Sequence, residues 1–199
     1  MSLIAKVMLS QLVVIDMQTR LAGIMPSDEM QAVIKNCSIL LQAAKLLEVP
    51  SIVTEQYPQG LGVTLPELSA LLDGKNFIEK ITFSCTGEQK FNAKLTSDKS
   101  QIVLAGMETH ICVLQTALGL LQGESKLQGE SKLQTADKKP HQVFIAEDAV
   151  ISRNPTNKAN ALARLRDAGC IISNTESIVF EWLGVAKGDT FKQISRLIR

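Results

Sequence analysis

The stretch Ile102-Val103-Leu104-Ala105-Gly106-Met107-Glu108-Thr109-His110-Ile111-Cys112-Val113 decides how this chain is read. An apolar run stops at a glycine, crosses polar and flexible positions, and reaches a cysteine at the head of a new apolar stretch. The pattern predicts a buried strand, a tight turn and a helix with Cys112 at or near its N-terminus. A thiol there meets the positive end of the helix dipole and unbonded backbone N–H groups, and both favour the nucleophilic thiolate. The same position also suits a small packing residue, because free cysteine is among the most buried residue types. What else reaches the same sheet edge decides between the two.

Five further apolar runs flank this one. Leu12-Val13-Val14-Ile15 is continuous and β-branched, as expected of a strand buried on both faces. Ser51–Thr54, Phe77–Lys80, Val143–Ala146 and Cys170–Ile172 read as further strands, giving six with Ile102–Ala105. Between them lie helical patterns. From about Asp28 to Glu48 an apolar stripe runs Met30, Val33, Ile34, Cys37, Leu40, Leu41, Ala44, Leu47, which makes Cys37 a core residue. A short helix is expected over Glu67–Leu72, and another over Thr156–Ala168 with Gly169 at its C-terminal stop. Strands alternating with helices in this way predict an α/β fold with a six-stranded parallel β-sheet flanked by helices.

With 199 residues the chain is expected to form one domain, residues 1–199. Its formal net charge of +1 and its 4% aromatic content offer no footprint for nucleic acid or an anionic membrane surface. No apolar run approaches the ~20 residues of a membrane span. The four cysteines stand at 37, 85, 112 and 170, with no CxxC and no zinc-type spacing, so free thiols in a reducing, cytoplasmic setting are expected. The apolar N-terminus lacks a charged leader and a small-residue cleavage site, and its apolar part reads as the first strand rather than a signal peptide. LQGESK occurs twice in succession at 121–126 and 127–132. A six-residue period fits neither helix nor strand, so 121–134 reads as a duplicated insertion in a surface loop or helix extension.

In open parallel sheets ligands bind beyond the carboxyl ends of the strands. Those positions hold Asp16-Met17-Gln18, Glu55-Gln56-Tyr57, Glu79-Lys80, the Gly106–Cys112 turn and Glu147-Asp148. A thiol nucleophile needs a base or a cation beside it. Asp16 is placed to take the thiol proton, Lys80 to hold the thiolate, and the backbone N–H groups of residues 108–112 to receive an oxyanion. Taken singly, an Asp at a strand end is commonly a cap or turn residue, and a Lys there is commonly solvated. Asp148 reads as structural, His110 as pointing away from Cys112, and His141 as exposed. No glycine-rich phosphate loop follows any strand.

Together, Asp16-Met17-Gln18 after its apolar strand, Lys80, the Gly106–Val113 segment and Ala146-Glu147-Asp148-Ala149-Val150-Ile151-Ser152-Arg153 resemble the isochorismatase-like cysteine hydrolase superfamily. The likeness runs from about Leu12 to Ile178, and its most specific part is G-x-E-T-H-x-C-V. It implies a three-layer Rossmann-like fold and a Cys-Asp-Lys triad. Cys112 is then the nucleophile, Asp16 the general base and Lys80 the cation that lowers the thiol pKa. It also implies a cis Met107–Glu108 peptide, with the Glu108 and Cys112 N–H groups forming an oxyanion hole, and a homo-oligomer.

Nicotinamidase-like members place an Asp/His metal site after the second strand, where this chain has Thr54-Glu55-Gln56-Tyr57-Pro58, so no metal and no cofactor are expected. Members that cleave isochorismate lack the cysteine, so Cys112 points to a small molecule with an amide-like C–N bond, opened through a thioester. Leu21 and Tyr57 are expected to wall the pocket, Gln18 to orient Asp16 or substrate, and Thr109 to contact substrate. Cys85 stands close after Lys80, either near the site or as a loop thiol. Two other readings compete: a non-catalytic oligomeric or binding protein that keeps the fold, and a redox-active thiol protein.

Overall fold

The structure, a computed structural model, describes residues 2–123 and 140–198. Its frame is one sheet of six strands: β1 (Ser10–Ile15), β2 (Ser51–Gln56), β3 (Phe77–Lys80), β4 (Gln101–Met107), β5 (Gln142–Ile151) and β6 (Ile171–Ser173). The spatial order is β3-β2-β1-β4-β5-β6 and every neighbouring pair is parallel. The chain winds one way from β1 to β3, then returns through β4 and winds the other way. The switch lies between β1 and β4, the place where ligands bind in sheets of this kind.

Side-chain alternation divides the core. Leu12 and Val14 of β1, with Val103 and Ala105 of β4, pack with the Ser27–Leu46 and Thr175–Leu183 helices through Val33, Leu40, Ile178 and Trp182. Val13, Ile15, Ile102 and Leu104 point the opposite way, into a second cluster with Leu114, Ala117, Leu120 and Leu165 from the Leu114–Gln122 and Pro155–Asp167 helices. Each such apolar side chain contributes about 1.5–3 kcal/mol when fully buried. Period-two strands thus bury both faces, which is why β1 and β4 read as unbroken apolar runs. Among the described residues no helix is long and apolar enough to cross a membrane.

Several boundaries differ from the sequence reading. The long helix ends at Leu46, and the chain leaves through Glu48 at positive φ. The short helix spans Pro66–Ser69, beginning on its proline. β2 runs two residues further, to Gln56. β5 does not stop at Ala146. Its pairing with β4 jumps from Leu104↔Ile145 to Gly106↔Val150, so residues 146–149 bulge and the strand resumes to Ile151. Asp148 sits inside that bulge, and its carboxylate accepts hydrogen bonds from Thr175 N and Oγ1, the structural role expected of it. His141 is half-buried rather than exposed. Leu121 and Gln122 of the duplicated segment end a helix capped by Gly123 in the left-handed region; the rest of that segment lies outside the described residues.

Gly106 couples the two strands at the switch point. It faces Ile15 in register and has φ +110°, and a Cβ there would run into the Ile15 backbone. Both the conformation and the space exclude a side chain. Gly106→Ala is therefore expected to destabilise the fold by about 3 kcal/mol or more, read as a lowered urea midpoint. An unchanged midpoint would show that β1 and β4 tolerate a side chain there.

Candidate active site

Asp16 is the first residue beyond β1. Its N–H donates to Thr54 O (3.1 Å), its φ is +51°, and Gln18 N–H returns to Asp16 O (2.7 Å), so the chain turns sharply and leaves the carboxylate at the sheet edge. Lys80 closes β3, two strands away. β2 lies between, with Gln56 opposite Lys80 in register, and the long lysine stem crosses the end of β2 to reach Asp16. The Lys80 ammonium lies 2.7 Å from Asp16 Oδ2, 2.7 Å from Gln56 Oε1, 3.2 Å from Thr82 O, 3.3 Å from Phe83 O and 3.6 Å from Cys112 Sγ. Thr54 Oγ1 donates to Asp16 Oδ1 at 2.7 Å. Asp16 is wholly buried, Lys80 is 1% exposed and Cys112 is 6% exposed. The three predicted residues, drawn from three strand ends, form one buried cluster.

Cys112 reaches it on an unusual turn. Thr109–Val113 forms a wide π-type turn, and the α-helix proper begins only at Leu114. The Glu108 carbonyl accepts from Ile111 N (3.1 Å) and Val113 N (3.2 Å), the residues on either side of Cys112. The Met107–Glu108 peptide is cis. The Glu108 carboxylate is buried, accepts from Arg153 N at 2.9 Å and has Arg153 Nε at 3.8 Å. His110 Nδ1 shares a 2.9 Å hydrogen bond with Ser152 Oγ, away from the thiol. The turn is thus pinned to the end of β5 by two side chains. Thr109 is fully buried, and its hydroxyl has no hydrogen-bond partner among the described residues.

The thiol does not carry the low pKa expected of it. Burial pushes it up first, the Asp16 charge pushes further, and the opposing pull of Lys80 is smaller than their sum. The cysteine therefore rests as a neutral thiol between a carboxylate and an ammonium. Lys80 is shifted upward: burial alone would lower it, but Asp16, Cys85 and Cys112 together outweigh that. A carboxylate and an ammonium gathered beside a neutral thiol are an arrangement that can pass a proton from sulfur to carboxylate.

The other expected residues are placed differently. Gln18 is fully buried, but its amide donates to Gln56 O and Gly62 O and accepts from Gln56 N, so it ties the loop after β2 rather than orienting the Asp16 carboxylate. Leu21 is half-buried against the core on the Ser27–Leu46 side, whereas Cys112 belongs to the opposite one. Tyr57 is 52% exposed, and its N–H holds Lys80 O at 2.9 Å. Cys85 is not a loop thiol: it is fully buried, its Sγ lies 4.0 Å from Thr54 Oγ1, and burial raises its pKa to about 11 against the pull of Lys80. Thr54 and Gln56 were missed as site residues. The available signal was Thr54, a hydroxyl at the carboxyl end of an apolar strand, and the extension of β2 that sets Gln56 opposite Lys80. Among the described residues no group of His, Cys, Asp and Glu is clustered to hold a metal ion; Glu55 instead accepts from Thr64 N and Oγ1.

Comparison with known proteins follows the same lines. The isochorismatase domain model matches residues 10–177. Isochorismatase domain-containing protein 2 of Danio rerio is 36% identical over 167 residues, 83% of this chain and 76% of its own length. The secreted isochorismatase effector Isc1 of Phytophthora sojae is 34% identical over 196 residues, 96% of this chain and 84% of its own. The solved MAR1 ribonuclease of Caenorhabditis elegans superposes with a TM-score of 0.82 at 30% identity, covering 97% of this chain and 91% of that one. The domain match spans all six strands of the sheet, and the chain belongs to the isochorismatase domain family of hydrolases.

Proposed function

We propose that the chain is a cysteine hydrolase that cleaves a small amide-like C–N bond. The observation that carries this reading is the buried Asp16–Lys80 pair at 2.7 Å with the lysine 3.6 Å from the Cys112 sulfur. A buried ion pair seldom repays its desolvation, so its presence beside a thiol is better accounted for by chemistry than by stability.

In the first step Cys112 attacks the carbonyl carbon as its proton passes to Asp16. Negative charge moves to the carbonyl oxygen, which the main-chain N–H groups of Glu108 and Cys112 receive. Collapse breaks the C–N bond, the departing nitrogen takes the proton from Asp16, and a thioester remains on Cys112. Water then gives a proton back to Asp16, adds to the thioester, and releases the acid as the thiol is restored. Lys80 stays charged throughout. It fixes the carboxylate at Oδ2, while Thr54 fixes Oδ1 and Gln56 and the 82–83 carbonyls fix the ammonium. No cofactor takes part in this scheme. Self-association belongs to the same reading: Tyr57, Ile81 and Phe83 are all more than half exposed on adjoining loops at the site edge.

Two experiments test it. A screen for ammonia release from small amides is expected to find a substrate, with Cys112→Ala inactive and Asp16→Asn slowed by about 10²–10⁴-fold. Equal turnover by wild type and Cys112→Ala would overturn the nucleophile assignment.

The second follows the thiol itself through its rate of alkylation by iodoacetamide against pH. Because burial and Asp16 raise the thiol, wild type is expected to react with a midpoint above the ordinary ~8.5. Asp16→Asn removes a raising charge and shifts the midpoint down; Lys80→Met removes the lowering charge and shifts it up. The reverse order would exclude Asp16 and Lys80 as the groups that set the thiol's protonation.

A further inference from the structure

We infer that the Cys112 centre takes an uncharged acyl compound, hydrogen-bonded by the Thr109 hydroxyl, and turns away carboxylates and phosphates. The inference rests on Cys112 being the reacting atom, and it narrows the substrate class. It comes from how the charges at this edge of the sheet are already used.

The Asp16 carboxylate is held by Lys80 on one oxygen and Thr54 on the other. The Lys80 ammonium has three protons and already faces five polar atoms. Glu55 accepts from Thr64, and Glu108 is met by Arg153. Arg153 is paired with Glu108, while Arg20 donates Nη1–H to the neutral Gly60 O at 2.8 Å and keeps its charge in solvent, outside the buried cluster. Within the buried cluster no cation is left unpaired to neutralise an incoming anion.

The reaction itself keeps that balance. Attack moves one proton from Cys112 to Asp16 and one negative charge to the acyl oxygen, so a neutral substrate leaves the cluster's total charge unchanged. A carboxylate or phosphate would add a negative charge among groups that are 0%, 1% and 6% exposed, with Asp16 facing it. Asp16 Oδ2 is met by Lys80, and what the turn that carries Cys112 does offer, among the described residues, is an unsatisfied hydroxyl. Thr109 is wholly buried in the same five-residue turn as Cys112, and its Oγ1 has no hydrogen-bond partner among the described residues. A buried hydroxyl without a partner costs free energy that a ligand's amide or carbonyl group recovers.

The test compares iodoacetamide with iodoacetate, which carry the same reactive carbon and differ in charge. Labelling of Cys112 in the intact protein is followed by peptide mass spectrometry, and each rate is divided by that of a small free thiol under the same conditions. The corrected ratio is expected to favour iodoacetamide by about a hundredfold, since the anion must be buried unpaired. Equal corrected rates, or a preference for iodoacetate, would overturn the inference, as would failure of both reagents to label Cys112 even at alkaline pH. Thr109→Val is expected to slow iodoacetamide by about tenfold, with Thr109→Ser keeping most of the rate. An unchanged rate in the valine variant overturns the assignment of Thr109. Failure of the hydrolase reading is distinguishable: a protein that discriminates between the two reagents but hydrolyses no neutral amide keeps the charge selection and loses the reaction.

Discussion

The Lys80 ammonium against the Asp16 carboxylate, out of water at the carboxyl edge of the sheet, is the constraint around which the rest of the molecule is arranged. Neither charge would be tolerated there alone; a single unpaired ion in such a place costs several kcal/mol. The fold therefore has to bring the ends of β1 and β3 together across β2, and it does so by setting Gln56 opposite Lys80 and lending Thr54 to the far oxygen of Asp16. The strand order is what makes the pair possible. With β2 between them, the two residues are separated by a gap that a lysine stem can cross and a shorter side chain cannot.

The pair also sets the state of the cysteine. A thiol beside an ammonium alone would ionise readily. A thiol beside an ammonium whose charge is already claimed by a carboxylate, and which burial screens from water, keeps its proton. The dipole argument for a helix start is weaker here as well. Cys112 stands on a π-type turn two residues before the α-helix begins, not at the first turn of that helix. A resting neutral thiol is compatible with a nucleophile as long as the base is in place before the substrate arrives, which is the work assigned to Asp16.

Much of this was legible in the sequence because the relevant signals are local. The six apolar runs with helical patterns between them gave the strand count and parallel sense, and the edge rule then selected Asp16, Lys80 and the turn to Cys112. What was not legible depends on register and depth. Gln56 lies in β2 rather than in the loop, so its bond to Lys80 follows from pairing that no single strand encodes. The bulge at residues 146–149 let β5 run past two acidic residues that looked like a strand end. Gln18 reads as a site residue by position, yet its amide is used up by the backbone of the neighbouring loop. The sign of the thiol shift was missed because desolvation is a property of the packed core, and sequence shows the charges but not how much water remains near them.

The same accounting explains why the Cys112 turn and the scaffold are hard to separate. Gly106 is needed where β4 touches β1, and the turn carrying Glu108 and Cys112 begins immediately after that strand. Glu108 and His110 then fasten the turn to Arg153 and Ser152, at the place where β5 ends only because its bulge let it continue. An irregularity in one strand thus positions the backbone at the carboxyl end of its neighbour. Among the described residues the buried polar side chains at this edge pair within the chain, Asp16 Oδ2 through Lys80, while the Thr109 hydroxyl, in the turn that carries Cys112, does not. A fold that pairs its buried polar groups so fully has little reason to leave one open except to hold something the chain itself does not supply.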